Sequence, residues 1–273
     1  MTEPGLIDYG GDGPQVLLVH GSGHNAAVWS AVAGFLVPGH RVVAVDLRGH
    51  GQNRADSQTP EQYWRDLADV VAALGWRRPL LAGHSTGGYA VTAVTAAGLV
   101  TPSALCVVDG LVLDDRATAR EQLAGFLTEE SAAELERMFG YGLRFDAAGM
   151  RAWIARQPAH PLNAGADPEL ARAVAARSFV ADGDGFLRRP TTAEITATIA
   201  TDTGAAVFPS VDVYERITCP LTVVLPSQGF YAARRGDIPA KARLAEVEAG
   251  HNVVMTHPAF VAGVIRDLAG QVG

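Results

Sequence analysis

Six apolar runs punctuate the chain: QVLLVHG at 15–21, HRVVAVDLRG at 40–49, RPLLAGHS at 78–85, SALCVVDG at 103–110, PLTVVLP at 220–226 and ARLAEVEAG at 242–250. Their apolar positions are mostly consecutive rather than alternating, the pattern of strands covered on both faces. They predict an α/β fold with a mainly parallel β-sheet flanked by helices. Helical periodicity places the flanking helices at about 25–37, 60–75, 86–98, 207–216 and 258–270. Such sheets hold ligands at the carboxyl ends of their strands.

One block breaks this rhythm. From Leu111 to Ala205 the pattern reads as helical throughout, with no strong strand, in ATAREQLAGFL, SAAELERMFGYGL, AAGMRAWIARQ, PELARAVAARSFV and TTAEITATIATDT. It is too long for a simple crossover, so residues 1–110 and 206–273 are expected to form one core and 111–205 a helical cap over the sheet's carboxyl edge. The cap carries bulky residues that face either a pocket or the cap's own interior: Phe126, Met138, Phe139, Tyr141, Trp153, Phe179 and Phe186.

Length and composition narrow the functional classes. With 273 residues, 48% hydrophobic and 19% charged, the chain has the makeup of a globular enzyme rather than a disordered or fibrous protein. A net charge of −7 disfavours nucleic acid and anionic membrane as partners and points to a neutral or apolar small molecule. The opening MTEPGLIDYGGDGP has neither a basic start nor an apolar run, and no stretch reaches the ~18 apolar residues of a membrane span. A soluble cytoplasmic protein is expected. Cys106 and Cys219 show neither metal spacing nor a disulfide framework and read as buried free thiols. Without an H-E-x-x-H, a cysteine cluster or a phosphate loop, no metal or organic cofactor is expected.

The strongest chemical signal is LLAGHSTGGYAV. Gly83-His84-Ser85-Thr86-Gly87 matches G-x-S-x-G between an apolar strand and a helical run, the setting of a nucleophile elbow. A turn that tight strains the serine, and glycines at 83 and 87 remove side chains that would strike neighbouring backbone. The elbow lifts the Ser85 hydroxyl off the sheet, and the helix start behind it favours negative charge. In VLLVHGSGHNAAVW, His20-Gly21 at a strand end places Ser22 beside the elbow, so the backbone N–H groups of Ser22 and Thr86 become candidate oxyanion donors. His20 reads as structural and His24 as a candidate for the pocket wall. In VEAGHNVVMTHP, His251 follows the last predicted strand on a loop, where a general base has the reach it needs. His84 is expected to be turned away from Ser85 by the elbow, His50 to sit in a turn and His257 at a helix start, while His40 and His160 carry no motif.

With HGSG, DLRGHGQN, GHSTGG and AGHN in order and spacing, the sequence resembles the α/β-hydrolase fold superfamily over nearly its whole length. The resemblance is to capped members with a serine nucleophile, and it implies a cap inserted after the sixth strand. It also implies a triad in the order nucleophile, acid, histidine. The loop where the acid usually stands, PLTVVLPSQGFYAARRGD, offers Ser227, Gln228 and Gly229 instead, and no carboxylate before Asp237. Some members of the superfamily carry the acid on an earlier strand, which directs attention to Asp109 at the end of ALCVVD. A turn role for Asp109 is the simpler alternative. Asp237 is its rival, though an arginine pair beside it offers another partner; Asp202 and Asp212 sit in helical surroundings at the cap's return, and Asp46 comes too early in the chain.

The resemblance implies a serine hydrolase working through Ser85, His251 and Asp109, and the apolar, aromatic cap with Phe230 and Tyr231 near the gap points to a hydrophobic ester or lactone lying against His24, Phe139, Trp153, Phe230 and Tyr231. Relatives of this outline also cleave carbon–carbon bonds or thioesters, make peracids or act on cyanohydrins. A hydrolase-derived receptor with little turnover is the non-enzymatic alternative.

Overall fold

The apolar runs assemble into one seven-stranded sheet, seen in a computed structural model that describes residues 5–57, 59–202 and 204–271. Residues 1–4, part of the segment expected to carry no export signal, lie outside the described residues. In chain order the first half contains β1 (Leu6–Gly10), β2 (Gln15–Val19), α1 (Ser30–Leu36), β3 (Arg41–Val45), α2 (Gln62–Ala73), β4 (Leu80–His84), α3 (Thr86–Ala96) and β5 (Leu105–Val108). An inserted segment then supplies α4 (Arg116–Phe126), α5 (Glu129–Phe139), β6 (Arg144–Phe145), α6 (Ala147–Arg156), α7 (Pro168–Arg177), β7 (Phe179–Asp182), β8 (Gly185–Arg188) and α8 (Thr192–Ile199). The chain returns through β9 (Leu221–Gln228), β10 (Arg243–Gly250), α9 (Val253–Thr256) and α10 (Pro258–Gly270).

The sheet order is β1-β3-β2-β4-β5-β9-β10, parallel except for β1 against β3. The two-residue repeat of a strand sorts its side chains between two cores. Val16 and Leu18 face a cluster with Val32, Leu36, Val261 and Ile265 of α1 and α10. Leu17 and Val19 face one with Leu67, Val71, Ala90 and Val94 of α2 and α3. Burial on both faces is why these strands read as unbroken apolar runs.

Several expectations change. Strand β1 was not anticipated, because LIDYG is short and half-buried. The 25–37 segment divides into a 3-10 turn at Ala26–Trp29 and α1, and 207–216 is a 3-10 turn at Val211–Arg216, entered through an extended Ser210. The insertion leaves the sheet after its fifth strand in this chain, not its sixth: the described residues before it contribute β1 to β5. Nor is it helical throughout, for β6, β8 and β7 form a small antiparallel sheet. The run read as PELARAVAARSFV stops being helical at Arg177, where Phe179 and Val180 suit a pleated surface better. The hairpin signal was present in Asp182-Gly183-Asp184-Gly185, with Gly183 at φ +58°.

Buried polar groups fix the insertion to the sheet edge. Asp46, fully buried after β3, accepts from the Ala26 and Gln52 N–H groups and pairs with Arg177 at the end of α7, Nη2 to Oδ2 2.7 Å. Asn25 donates to the Val174 carbonyl at 2.7 Å. No described helix is long and apolar enough to cross a membrane.

Candidate active site

Ser85 stands where β4 turns into α3, at φ 53° and ψ −126°, a conformation that side-chain-bearing residues rarely adopt. Three glycines make the turn possible. A Cβ at Gly83 would strike the Gly87 carbonyl, one at Gly87 the Val19 carbonyl, and one at Gly110 the Ser85 backbone. The loop after β2 packs against the turn: a Cβ at Gly21 would lie 2.6 Å from that of Ser85, and the Ser22 and Thr86 hydroxyls are 2.8 Å apart. Thr86 is the first residue of α3, so its N–H has no carbonyl one turn earlier to bind. The Ser22 and Thr86 backbones thus flank Ser85.

Asp109 directly follows β5, at φ 43° and fully buried. Its Oδ2 lies 2.6 Å from His251 Nδ1 and accepts from the Phe230 N–H at 2.9 Å, while Oδ1 receives the Tyr231 N–H at 3.4 Å. The loop without a carboxylate therefore wraps the one on the neighbouring strand. Its Gly229 is required by contact, since a Cβ there would come within 2.7 Å of three atoms of the Asp109 carboxyl group. The Gly229→Ala variant is expected to push that carboxylate off His251 and to lower turnover at this site by roughly 10- to 100-fold. Unchanged kcat in a folded variant would contradict this.

His251 follows β10. Its ring stacks on Phe230, with centroids 3.7 Å apart and planes 16° apart, and lies 4.6 Å from the His84 ring. His84 Nε2–H donates to the His251 carbonyl at 2.9 Å. Ser85 and His251 share one cavity wall; among the described residues no hydrogen bond joins them. Such contacts commonly tighten only with substrate bound.

The cavity has a volume of about 830 Å³ and a largely apolar lining. His24, Phe139, Trp153 and Phe230 line it, as do Phe126 and Tyr141. Tyr231 does not: its side chain packs into the core on the α2/α3 side, where burial raises its hydroxyl to about 12. Phe179 and Phe186 are also elsewhere. Phe179 meets Phe145 edge to face, and Phe186 is paired with Phe145 across the small sheet. His84 lines the same cavity, with its ring 4.6 Å from that of His251. Cys106 is buried, but Cys219 is only half-buried.

The rival carboxylates have other partners. Asp237 is held by Arg234 Nε at 2.8 Å, Asp212 by Arg116 and Ser210, and Asp202 by the Gly204 N–H. His20 bridges backbone, accepting from the Leu47 N–H at Nε2 and donating to the Gly21 carbonyl from Nδ1.

Burial lowers the pKa of four histidines near the strand ends: His24 to about 3, His20 and His84 well below the usual range, and His50 less strongly. Each takes up a proton less readily in the folded chain than in the unfolded one, where it titrates near pH 6.5, so the unfolded chain binds more protons in acid. Their stabilisation is present above about pH 6.5 and fades as pH falls below it, by up to about 1.4 kcal/mol per pH unit for each. Urea midpoints are expected to drop steadily from pH 7 to pH 5, and a flat profile would contradict the burial of neutral imidazoles.

Residues 16–264 match the model of the Alpha/beta hydrolase family. The chain belongs to that family. Of its relatives, protein phosphatase methylesterase 1 of Mus musculus is 37% identical over 110 residues, covering 37% of this chain and 28% of that protein. The shared stretch is thus under a third of that relative's length. Among solved structures, E-2-(acetamidomethylene)succinate hydrolase superposes with a TM-score of 0.73 at 20% identity, covering 98% of this hydrolase and 99% of that chain. The enol-lactonase from Burkholderia xenovorans LB400 gives 0.67 at 19% identity, with 98% and 96% covered. At that identity the likeness to both speaks for the fold.

Proposed function

We propose that this α/β hydrolase cleaves a small carboxylic ester or lactone with a largely apolar body through an acyl-enzyme, with Ser85 as nucleophile, His251 as base and Asp109 as the acid that orients it. Residues 111–205 serve as the cap that closes over the substrate. The observation that carries this reading is the union of a strained serine on the cavity wall with an imidazole held at Nδ1 by a buried carboxylate. That contact leaves Nε2 of His251 as the proton acceptor.

Ser85 Oγ attacks the carbonyl carbon as its proton passes to His251 Nε2. The resulting oxyanion is held by the N–H groups of Ser22 and Thr86. Collapse breaks the C–O bond to the leaving alcohol, which takes the proton from His251; in a lactone that alcohol stays tethered to the acyl chain. Water, deprotonated by His251, then attacks the acyl-enzyme, releases the acid and restores Ser85. The apolar wall suits an aliphatic or aromatic acyl group, and the relatives named for methylesterase and enol-lactonase activities make esters and lactones the first classes to test.

The test is a screen of p-nitrophenyl esters, lactones and thioesters with product identification by mass, alongside labelling by a fluorophosphonate. Turnover and labelling of Ser85 are expected. Absence of both would contradict the enzymatic reading and leave a ligand-binding role for the cavity.

A further inference from the structure

Arg188, at the end of β8, is the exceptional group in this cavity. Its relative exposure is 8%, and it lines the pocket that holds Ser85 and His251. It has no carboxylate partner among the described residues. Nη1 donates to the Arg189 carbonyl, and Nε has no acceptor. The guanidinium otherwise lies over the Tyr141 ring, 5.4 Å from its centroid. Its neighbour Arg189 shows the usual arrangement for a buried arginine, paired with Glu194. Burying a cation without an anion costs several kcal/mol, so such a group calls for a partner that arrives from elsewhere.

The rest of the wall agrees. It carries a second arginine, Arg156, and no aspartate or glutamate among the described residues, in a protein whose acids outnumber its Lys and Arg by 29 to 22. Buried hydrogen-bonding atoms without partners also stand there, at His24 Nδ1 and Trp153 Nε1. Arg188 is tied to the reacting end of the cavity by contact. Its ring partner Tyr141 sets its hydroxyl against Gly23, next to Ser22.

We propose that Arg188 is the recognition site for a carboxylate on the substrate, so that the ester or lactone cleaved carries a free acid group on its acyl part. This rests on the hydrolase reading for the bond broken, but not for the ion bound. One guanidinium, with one nitrogen already engaged by a backbone carbonyl, matches a monoanion; a dianionic phosphate would bring a second charge into an apolar cavity.

The experiment compares mono-p-nitrophenyl adipate, whose distal carboxylate is free, with the same compound methylated at that carboxyl. In the wild type the free acid is expected to show the higher kcat/KM by about 10- to 100-fold, mainly through KM. In Arg188→Met that ratio should collapse towards one, and Arg188→Lys should restore part of it. A wild-type ratio at or below one would overturn the proposal without any variant, as would a ratio that survives in Arg188→Met. The binding arm is independent of catalysis: Ser85→Ala is titrated calorimetrically with monomethyl adipate and dimethyl adipate. Tighter binding of the monoacid supports the carboxylate site even if no ester is turned over, and equal binding overturns it even if Ser85 proves to be the nucleophile.

Discussion

Ser85→Ala is expected to lower kcat for an activated ester by on the order of 10⁶, leaving KM within a few-fold. The size follows from what the substitution removes and what it spares. It removes the Ser85 hydroxyl from the cavity wall, while the Ser22 and Thr86 backbones and the apolar walls stay in place. Residual hydrolysis then comes from water attacking a carbonyl that is still polarised by those N–H groups. Alanine also relieves no clash, since strain at φ 53° is a property of any Cβ-bearing residue there. The variant should therefore fold with a Tm close to the wild type, and this separates loss of chemistry from loss of structure. A variant with a tenth of wild-type activity would place the nucleophile elsewhere.

The second large effect is expected for Asp109→Asn, a fall in kcat on the order of 10⁴. Two backbone donors meet this side chain, Phe230 N–H at Oδ2 and Tyr231 N–H at Oδ1, and both point at oxygen. An amide can satisfy only one. With its oxygen at the Oδ2 position, the contact to His251 Nδ1–H survives but the charge that stabilises the imidazolium is lost. With nitrogen there, the amide donates to Nδ1, the proton moves to Nε2, and the base is no longer available to Ser85. Asp237→Asn is the control, expected within a few-fold of wild type because that carboxylate is engaged by Arg234. Kinetics of the two variants side by side distinguish the carboxylates, and the reverse pattern would assign the acid to the loop after β9.

The sequence made the sheet legible because strands buried on both faces have little freedom in composition, so the runs at β2 to β5, β9 and β10 stand out. The elbow was legible for a related reason: Gly83 and Gly87 are dictated by backbone contacts, and only glycine fits. The juxtaposition of residues 109 and 251 was legible through the resemblance together with a gap: the loop at 227–229 holds no carboxylate, and Asp109 stands at the end of the adjacent strand. What the sequence hid are features set by tertiary packing. Strands β6 to β8 are two to four residues long, too short for a periodic signal, though the Asp-Gly pairs at 182–185 marked their turn. The placement of Tyr231 against the core and of Phe230 on the cavity wall, beside two backbone bonds to Asp109, follows no local pattern. Arg188 is one of 21 arginines, and its lack of a carboxylate partner exists only in three dimensions.

The central claim is that Ser85 is acylated in the catalytic cycle, and rapid acid quench with an activated p-nitrophenyl ester followed by peptide mapping tests it most directly. The account predicts one acyl group per chain, on the peptide containing Gly83-His84-Ser85-Thr86-Gly87, at the same time as a burst of p-nitrophenol. Steady turnover with that peptide unmodified, or an acyl group carried by another residue, would contradict it.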